Sequence, residues 1–237
     1  MGGMPEACHV AGGSESAVDR FDLPLTYDLS QVDPDSGVLV VTTYWRPRPQ
    51  DPDPERPGEK LTMLSYLPTT AEQDCPCGSG QRFAQCCQAL SYWHPLCPNP
   101  AMEGYSCVAP QTATFALLSA QARRELCAYL NADERLYCVE DAPNRAFWIH
   151  WGDPTVEAPE GMLCFGDIEL RPNGALVVGA LSERRMAALL DLLRPLDLGT
   201  PQLQRDPVSP VEKPPRKQAA RRSHRSGGPG RPNRSQA

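Results

Sequence analysis

The stretch LCFGDIELRPNGALVVGAL, residues 163–181, decides the fold. Two runs rich in branched and aromatic side chains, 163–170 and 175–181, flank Asn173-Gly174, a pair that tolerates positive φ at the centre of a tight turn. This is the signature of a β-hairpin. Ser182 follows as a helix N-cap, with Glu183 in the first turn, where a carboxylate meets the positive end of the helix dipole. Met186, Leu189, Leu190 and Leu193 then supply a buried face at helical spacing, and Pro195 stops the helix.

Working upstream, RLYCVE (135–140) and AFWIHW (146–151) read as a second hairpin, joined by the turn-forming Asp141-Ala-Pro-Asn. Before it, Phe115, Leu118, Ala122, Leu126 and Tyr129 recur every three or four residues, which predicts a helix capped by Thr112 or Thr114 and ended by Asn131. The order helix, hairpin, hairpin, helix predicts an α+β fold, antiparallel hairpins with one or two helices packed on a sheet. Nearer the start, GVLVVTTYW (37–45) and LTMLSYL (61–67) read as strands on either side of a proline-rich loop, RPRPQDPDPERP (46–57). Residues 91–110, with Pro95, Pro98, Pro100 and Pro110, read as a loop. The expected organisation is therefore a disordered segment 1–20, an N-terminal β-hairpin segment 21–73, a cysteine-rich loop module 74–90, an α+β domain 91–200 and a disordered basic tail 201–237.

Charge is divided unevenly along the chain. The formal charge is −6, yet residues 213–237 hold eight Lys or Arg and no carboxylate, leaving 15 basic against 29 acidic residues elsewhere. An acidic body is not a nucleic-acid platform, whereas the tail has the electrostatics to touch phosphates. No aromatic is interleaved among its cations to stack on bases. The opening MGGMPEACHVAGG lacks the basic region and apolar run of a signal peptide, and no stretch approaches a membrane span, so a cytoplasmic protein without membrane attachment is expected. Glu6 stands where N-myristoylation wants Ser or Thr.

Ten cysteines in a cytoplasmic chain call for an explanation other than disulfides, because thiols there are kept reduced. Four of them fall in DCPCGSGQRFAQCC (74–87), a C-x-C-x8-C-C arrangement in which Cys75, Cys77, Cys86 and Cys87 can wrap one tetrahedral ion. Gly78 and Gly80 permit the positive φ of a sharp turn after the first pair, which would aim amide N–H groups at the sulfurs. His94 and Cys97 follow closely enough to serve as alternative donors. Cys8-His9 is a weaker pair in a polar stretch.

The segment resembles the SEC-C motif, the zinc-binding element at the C-terminal end of the SecA translocase motor and in many otherwise unrelated bacterial proteins. Cys75, Pro76, Cys77, Gly78, Ser79 and Gly80 match its C-P-C-G-S-G, Gln81 and Arg82 its polar positions, Phe83 its aromatic one, and Cys86 and Cys87 its last two ligands. Cys87 replaces the translocase's His, and Gln88 stands where Gly is usual. The resemblance implies bound Zn2+ and, since the element in the translocase contacts the SecB chaperone and has been linked with the ribosome, a docking role. By that analogy Gln81, Arg82, Phe83 and Gln85 would be the partner-binding residues. The competing reading packs Phe83 into the neighbouring segment and has Arg82 balance the thiolates.

Other constellations carry less. Trp148 and His150 share one face of their strand and could line a groove, although such residues more often fill a core. A hydrolase pairing His150 with Cys107 or Cys164 has no supporting nucleophile elbow, phosphate loop or dinucleotide glycine pattern. The sequence thus points to a non-enzymatic zinc adaptor, with a nucleic-acid- or ribosome-associated protein that uses its basic tail as the alternative.

Overall fold

The computed structural model describes residues 29, 32–47, 58–142, 145–151 and 162–215. The segment expected to be disordered at 1–20, the pair Cys8-His9, the loop prolines within 48–57, Pro143-Asn144 and residues 216–237 of the tail lie outside these residues, whereas residues 202–205 and 211–212, within the tail expected to be disordered from 201, are strands.

The hairpin that opened the sequence reading is the spine of the sheet. Strands β9 (Met162–Leu170) and β10 (Leu176–Ala180) pair in antiparallel register from Gly166↔Ala180 to Leu170↔Leu176. Their turn is closed by the Gly174 N–H donating to Arg171 O, and Gly174 alone takes positive φ (+86°). On its other edge β9 carries β8 (Arg145–Trp151), which carries β7 (Leu136–Ala142). Beyond β10 lie β6 (Gln111–Phe115) and then β11 (Gln202–Arg205).

Two helices cover one face of this sheet. Helix α1 (Ala120–Asn131) is capped by Ser119, whose hydroxyl accepts from the Ala122 N–H at 3.1 Å, and helix α2 (Glu183–Leu193) by Ser182, which accepts from the Arg185 N–H. Leu126 and Leu130 of α1 and Met186, Leu189 and Leu193 of α2 pack onto Trp148, Ile168, Leu170, Leu176 and Val178. The fit is close at Gly166, where a Cβ would stand 2.5 Å from Leu189 Cδ1 and 2.7 Å from Gly179 O. The architecture is α+β, as the element order predicted.

The predicted start of α1 needs correction. Residues 111–115 are strand β6, paired with β10 and β11, and the helix begins eight or six residues after the expected Thr112 or Thr114 cap. The β-branched alternation of Thr112 and Thr114 with buried Ala113 and Phe115 suits a strand between two partners. The stretch read as a loop at 91–110 also contains short strands: β3 (Tyr92–Trp93), β4 (Leu96–Pro98) and β5 (Tyr105–Cys107).

Strand β1 (Gly37–Pro47) joins the two ends of the molecule. It pairs along its full length with β2 (Gly58–Pro68), parallel with β4 at Val40↔Leu96, and antiparallel with the start of β9 at Tyr44↔Leu163. A fully buried guanidinium reinforces this junction. Arg185 of α2 donates Nε to Pro98 O at 2.8 Å and stacks 4.8 Å above the Phe165 ring centroid. That places one cation against β4 and β9 together.

Trp148 is completely buried under the helices and donates its indole N–H to Asn131 Oδ1 at 2.6 Å. His150 beside it is 8% exposed, and its Nδ1 has no partner among the described residues. The two side chains belong to the core, and the groove reading gives way to the ordinary one. Burial, with repulsion from the Arg135 guanidinium, pushes the His150 imidazole down to about 4 from 6.5. Native His150 is therefore neutral at neutral pH. Between pH 6.5 and 4 the unfolded chain takes up a proton that the native state refuses, so stability falls as pH falls through that window. Substituting His150→Gln should flatten this slope, narrowing the stability difference between parent and variant by up to about 3 kcal/mol from pH 7 to pH 4 in urea titrations. Equal slopes would contradict the assignment.

Candidate metal centre

The cysteine loop lies between β2 and β3 and is built from two tight turns. The chain leaves β2 at Pro68, and Cys75 N–H donates to Gln81 O at 2.8 Å while Phe83 N–H donates to Gln73 O at 2.8 Å, closing a small antiparallel knuckle. Gly78 (φ +78°) and Gly80 (φ +72°) make the reversal at its tip. A Cβ at Gly80 would meet nothing within 4 Å and one at Gly78 only Tyr105 O at 3.6 Å, so conformation and not space calls for glycine at both. Two 3-10 turns, Phe83–Gln85 and Cys87–Ala89, then bring the second cysteine pair back to the first.

The four cysteines converge. Their sulfurs all lie within 4.8 Å of one another, with Cys77 Sγ 3.5 Å from Cys86 Sγ. Sulfurs bonded tetrahedrally to one zinc at about 2.3 Å stand roughly 3.8 Å apart, so the cluster has the dimensions of a tetrathiolate site and could hold a metal ion. Cys75 and Cys87 are buried, whereas Cys77 and Cys86 are half-buried. The loop therefore closes over its own centre.

Hydrogen bonding within the cluster favours ionised sulfur at Cys77. Donation from Cys75 and Cys87 holds the Cys77 thiol far below its ordinary value, and Ser79 adds to the effect. The partners are pushed the other way, Cys75 up to about 11. Ser79 Oγ lies 3.3 Å from Cys86 Sγ and accepts from Gln81 N–H. Backbone amides face the sulfurs, as the sharp turn predicts: those of Cys77 and Cys87 hydrogen-bond the Cys75 sulfur and that of Ser79 the Cys77 sulfur, while Gly78 N–H goes to Cys75 O at 3.2 Å. The Ser79 hydroxyl adds a side-chain donor, to Cys86 Sγ.

His94 and Cys97 do not belong to the cluster. Cys97 is wholly buried on the far side of β4, its sulfur near Leu181 O and its thiol raised by burial. His94 is buried beside Tyr92 and outside the four-sulfur group. Neither alternative donor falls within the four-sulfur group.

Among the residues expected to meet a partner, Phe83 is corrected outright. It is completely buried and packs with Cys75, Cys87, Val38, Val40 and Leu96, so it anchors the loop to β1 and β4. Gln81, Arg82 and Gln85 are exposed. Arg82 does not balance the thiolates. Its Nη1 donates to Asp74 Oδ1 at 3.0 Å and Glu72 O at 2.8 Å, bracing the rim of the knuckle. Sequence reasoning missed Lys213, whose Nζ donates to Cys87 O at 3.0 Å and Gln88 O at 3.1 Å across 125 residues of chain. No local pattern marks such a contact.

The SEC-C motif matches residues 73–89, a short segment of the chain that coincides with this loop. Comparisons with curated proteins and with solved structures returned no match. No helix among the described residues is long and apolar enough to cross a membrane.

The burial contrast gives a direct test. Phe83→Ala should cost about 3–5 kcal/mol in urea unfolding, the usual range for emptying a core aromatic site, and Arg82→Ala less than about 1 kcal/mol. Similar costs for the two would contradict the assignment of Phe83 as anchor and Arg82 as rim.

Proposed function

We propose that the protein binds one Zn2+ through Cys75, Cys77, Cys86 and Cys87 and acts in the cytoplasm as a non-enzymatic adaptor, its metal loop presenting a docking rim to a protein partner. The observation that carries the metal assignment is the convergence of four sulfurs on a loop matched by a zinc-binding motif. A compact all-thiolate set suits zinc, which imposes no further geometric demand and needs no open coordination position for a structural role. Bound zinc would contribute folding free energy to the loop beyond that of its own hydrogen bonds.

The adaptor reading rests on what remains outside once Phe83 is buried. Gln81, Arg82 and Gln85 form a polar, exposed rim around the centre, and Asp74 fixes the Arg82 side chain there. Their backbone positions depend on the ligands between which they sit. Zinc would therefore hold both the rim and the junction with β1.

The second reading is favoured by the concentration of cations after residue 212 with no intervening carboxylate. Under it the zinc is purely structural and the tail meets RNA or the ribosome. If five tail cations meet phosphates, log affinity for a single-stranded RNA should fall with log salt at a slope of about −3.5, and a chain ending at Pro215 should lose that affinity.

Elemental analysis of the purified protein tests the metal assignment. One zinc per chain is expected, falling steeply in Cys86→Ser and unchanged in Cys138→Ser, whose cysteine lies in β7 outside the cluster. Zinc near zero in the parent protein, or loss in both variants alike, would overturn it. The adaptor reading is tested separately by capture of partners from a cell extract by the zinc-loaded protein. Arg82→Ala/Gln85→Ala should abolish capture and the chain ending at Pro215 should retain it, whereas loss only on truncation would favour the tail.

A further inference from the structure

After β11 the chain does not simply leave the body. It runs back across the molecule from the helix-covered sheet to the cysteine loop. Asp206 N–H donates to Pro110 O at 2.9 Å, Val208 and Val211 pack onto the cluster around Trp93, and Val211–Glu212, strand β12, pairs with β3. Lys213 N–H then donates to Ser91 O at 3.3 Å, and its ammonium caps the carbonyls of Cys87 and Gln88.

We propose that residues 206–215 form a strap that responds to the metal state of the cysteine loop, held down when zinc is bound and released when it is lost. This rests on the zinc assignment made above. Three features of the contact support it. The strap is peripheral, since Pro207, Ser209, Pro210, Glu212 and Pro215 are exposed and Asp206, Val208, Val211, Lys213 and Pro214 are half-buried, none of them fully buried. Its one ladder is two residues long, too short to persist without a further tether. The tether is a pair of charge-assisted hydrogen bonds, stronger than neutral ones, and their acceptors belong to the metal ligand Cys87 and its neighbour.

Those acceptors hold their place only while the turn Cys87–Ala89 does. Within the loop that turn is secured by Ala89 N–H to Cys86 O at 3.1 Å and by the Cys87 side chain at the centre. A tetrathiolate zinc site also carries a net charge of about −2, which favours the ammonium beside it. With the metal gone, that charge falls and the turn loses its Cys87 anchor, keeping Ala89 N–H to Cys86 O and Gln88 Nε2 to Asp35 O, so Lys213 has less to hold. Since Lys213 stands at the head of the basic run, release of the strap would free the base of the tail at the same moment. By linkage, the strap must strengthen zinc binding by the same factor by which zinc strengthens the strap.

Hydrogen exchange on the full chain tests this, with zinc content measured on the same samples. Peptides covering 206–215 report on the strap, and peptides covering β9 and β10 report on the core. Chelation should raise exchange in the strap about tenfold, leave the core peptides unchanged, and reverse on adding Zn2+ alone. Zinc-loaded Lys213→Met should show the fast exchange without chelation and bind zinc more weakly by a similar factor in competition with a chromogenic chelator. Unchanged strap protection after chelation, equal acceleration of strap and core, or undiminished zinc affinity in Lys213→Met would each overturn the strap while leaving the zinc assignment standing. A protein that takes up no Zn2+ would overturn both.

Discussion

Phe83 shares a single apolar cluster with Cys75, Cys87, Val38, Val40 and Leu96, and this contact makes the cysteine loop part of the body. The order of causes runs through it. Two of the four sulfurs are buried because they lie on the same side of the loop as Phe83, and Phe83 is buried because β1 and β4 present a floor for it. The floor exists because β1 is held by β2 on one side and by β4 and the start of β9 elsewhere. A loop at a free chain end would have no such floor. Here the cysteine cluster is fixed to a strand that also reaches the helix-covered half.

That half is held by different means. Its core is the sheet face under α1 and α2, closed at Gly166 against Leu189 and filled by Trp148. Arg185 connects it to the cysteine side, with no carboxylate partner among the described residues. Its guanidinium donates Nε to Pro98 O and lies over Phe165, its Nη2 is buried without a hydrogen-bond partner among the described residues, and burial lowers its affinity for a proton. Breaking such a contact leaves polar atoms stranded on both strands, so the relative placement of β4 and β9 is strongly constrained.

Much of this was legible in the sequence wherever the cause is local. Asn173-Gly174 between branched runs fixed the β9–β10 hairpin, Ser182 with Glu183 marked the start of α2, and the spacing of Cys75, Cys77, Cys86 and Cys87 picked out the four sulfurs that converge. Where the cause lies far along the chain, the sequence misled or was silent. Phe115 and Leu118 fit a helical period by coincidence, because Phe115 points into the core from a strand that only β10 and β11 stabilise. The short strands β3, β4 and β5 lie among prolines and exist because β1 and β12 offer partners. Phe83 looks the same in sequence whether it faces a partner or β1. Lys213 carries no local sign of its contact with Cys87.

The proposed site has four thiolates and nothing else around one zinc. Zinc K-edge X-ray absorption on the purified, metal-loaded protein measures this most directly. A single shell of four sulfurs at about 2.3 Å is expected, with no nitrogen or oxygen at the shorter distance of about 2.0–2.1 Å. A mixed shell, which would bring His94 or solvent into the coordination sphere, would contradict it.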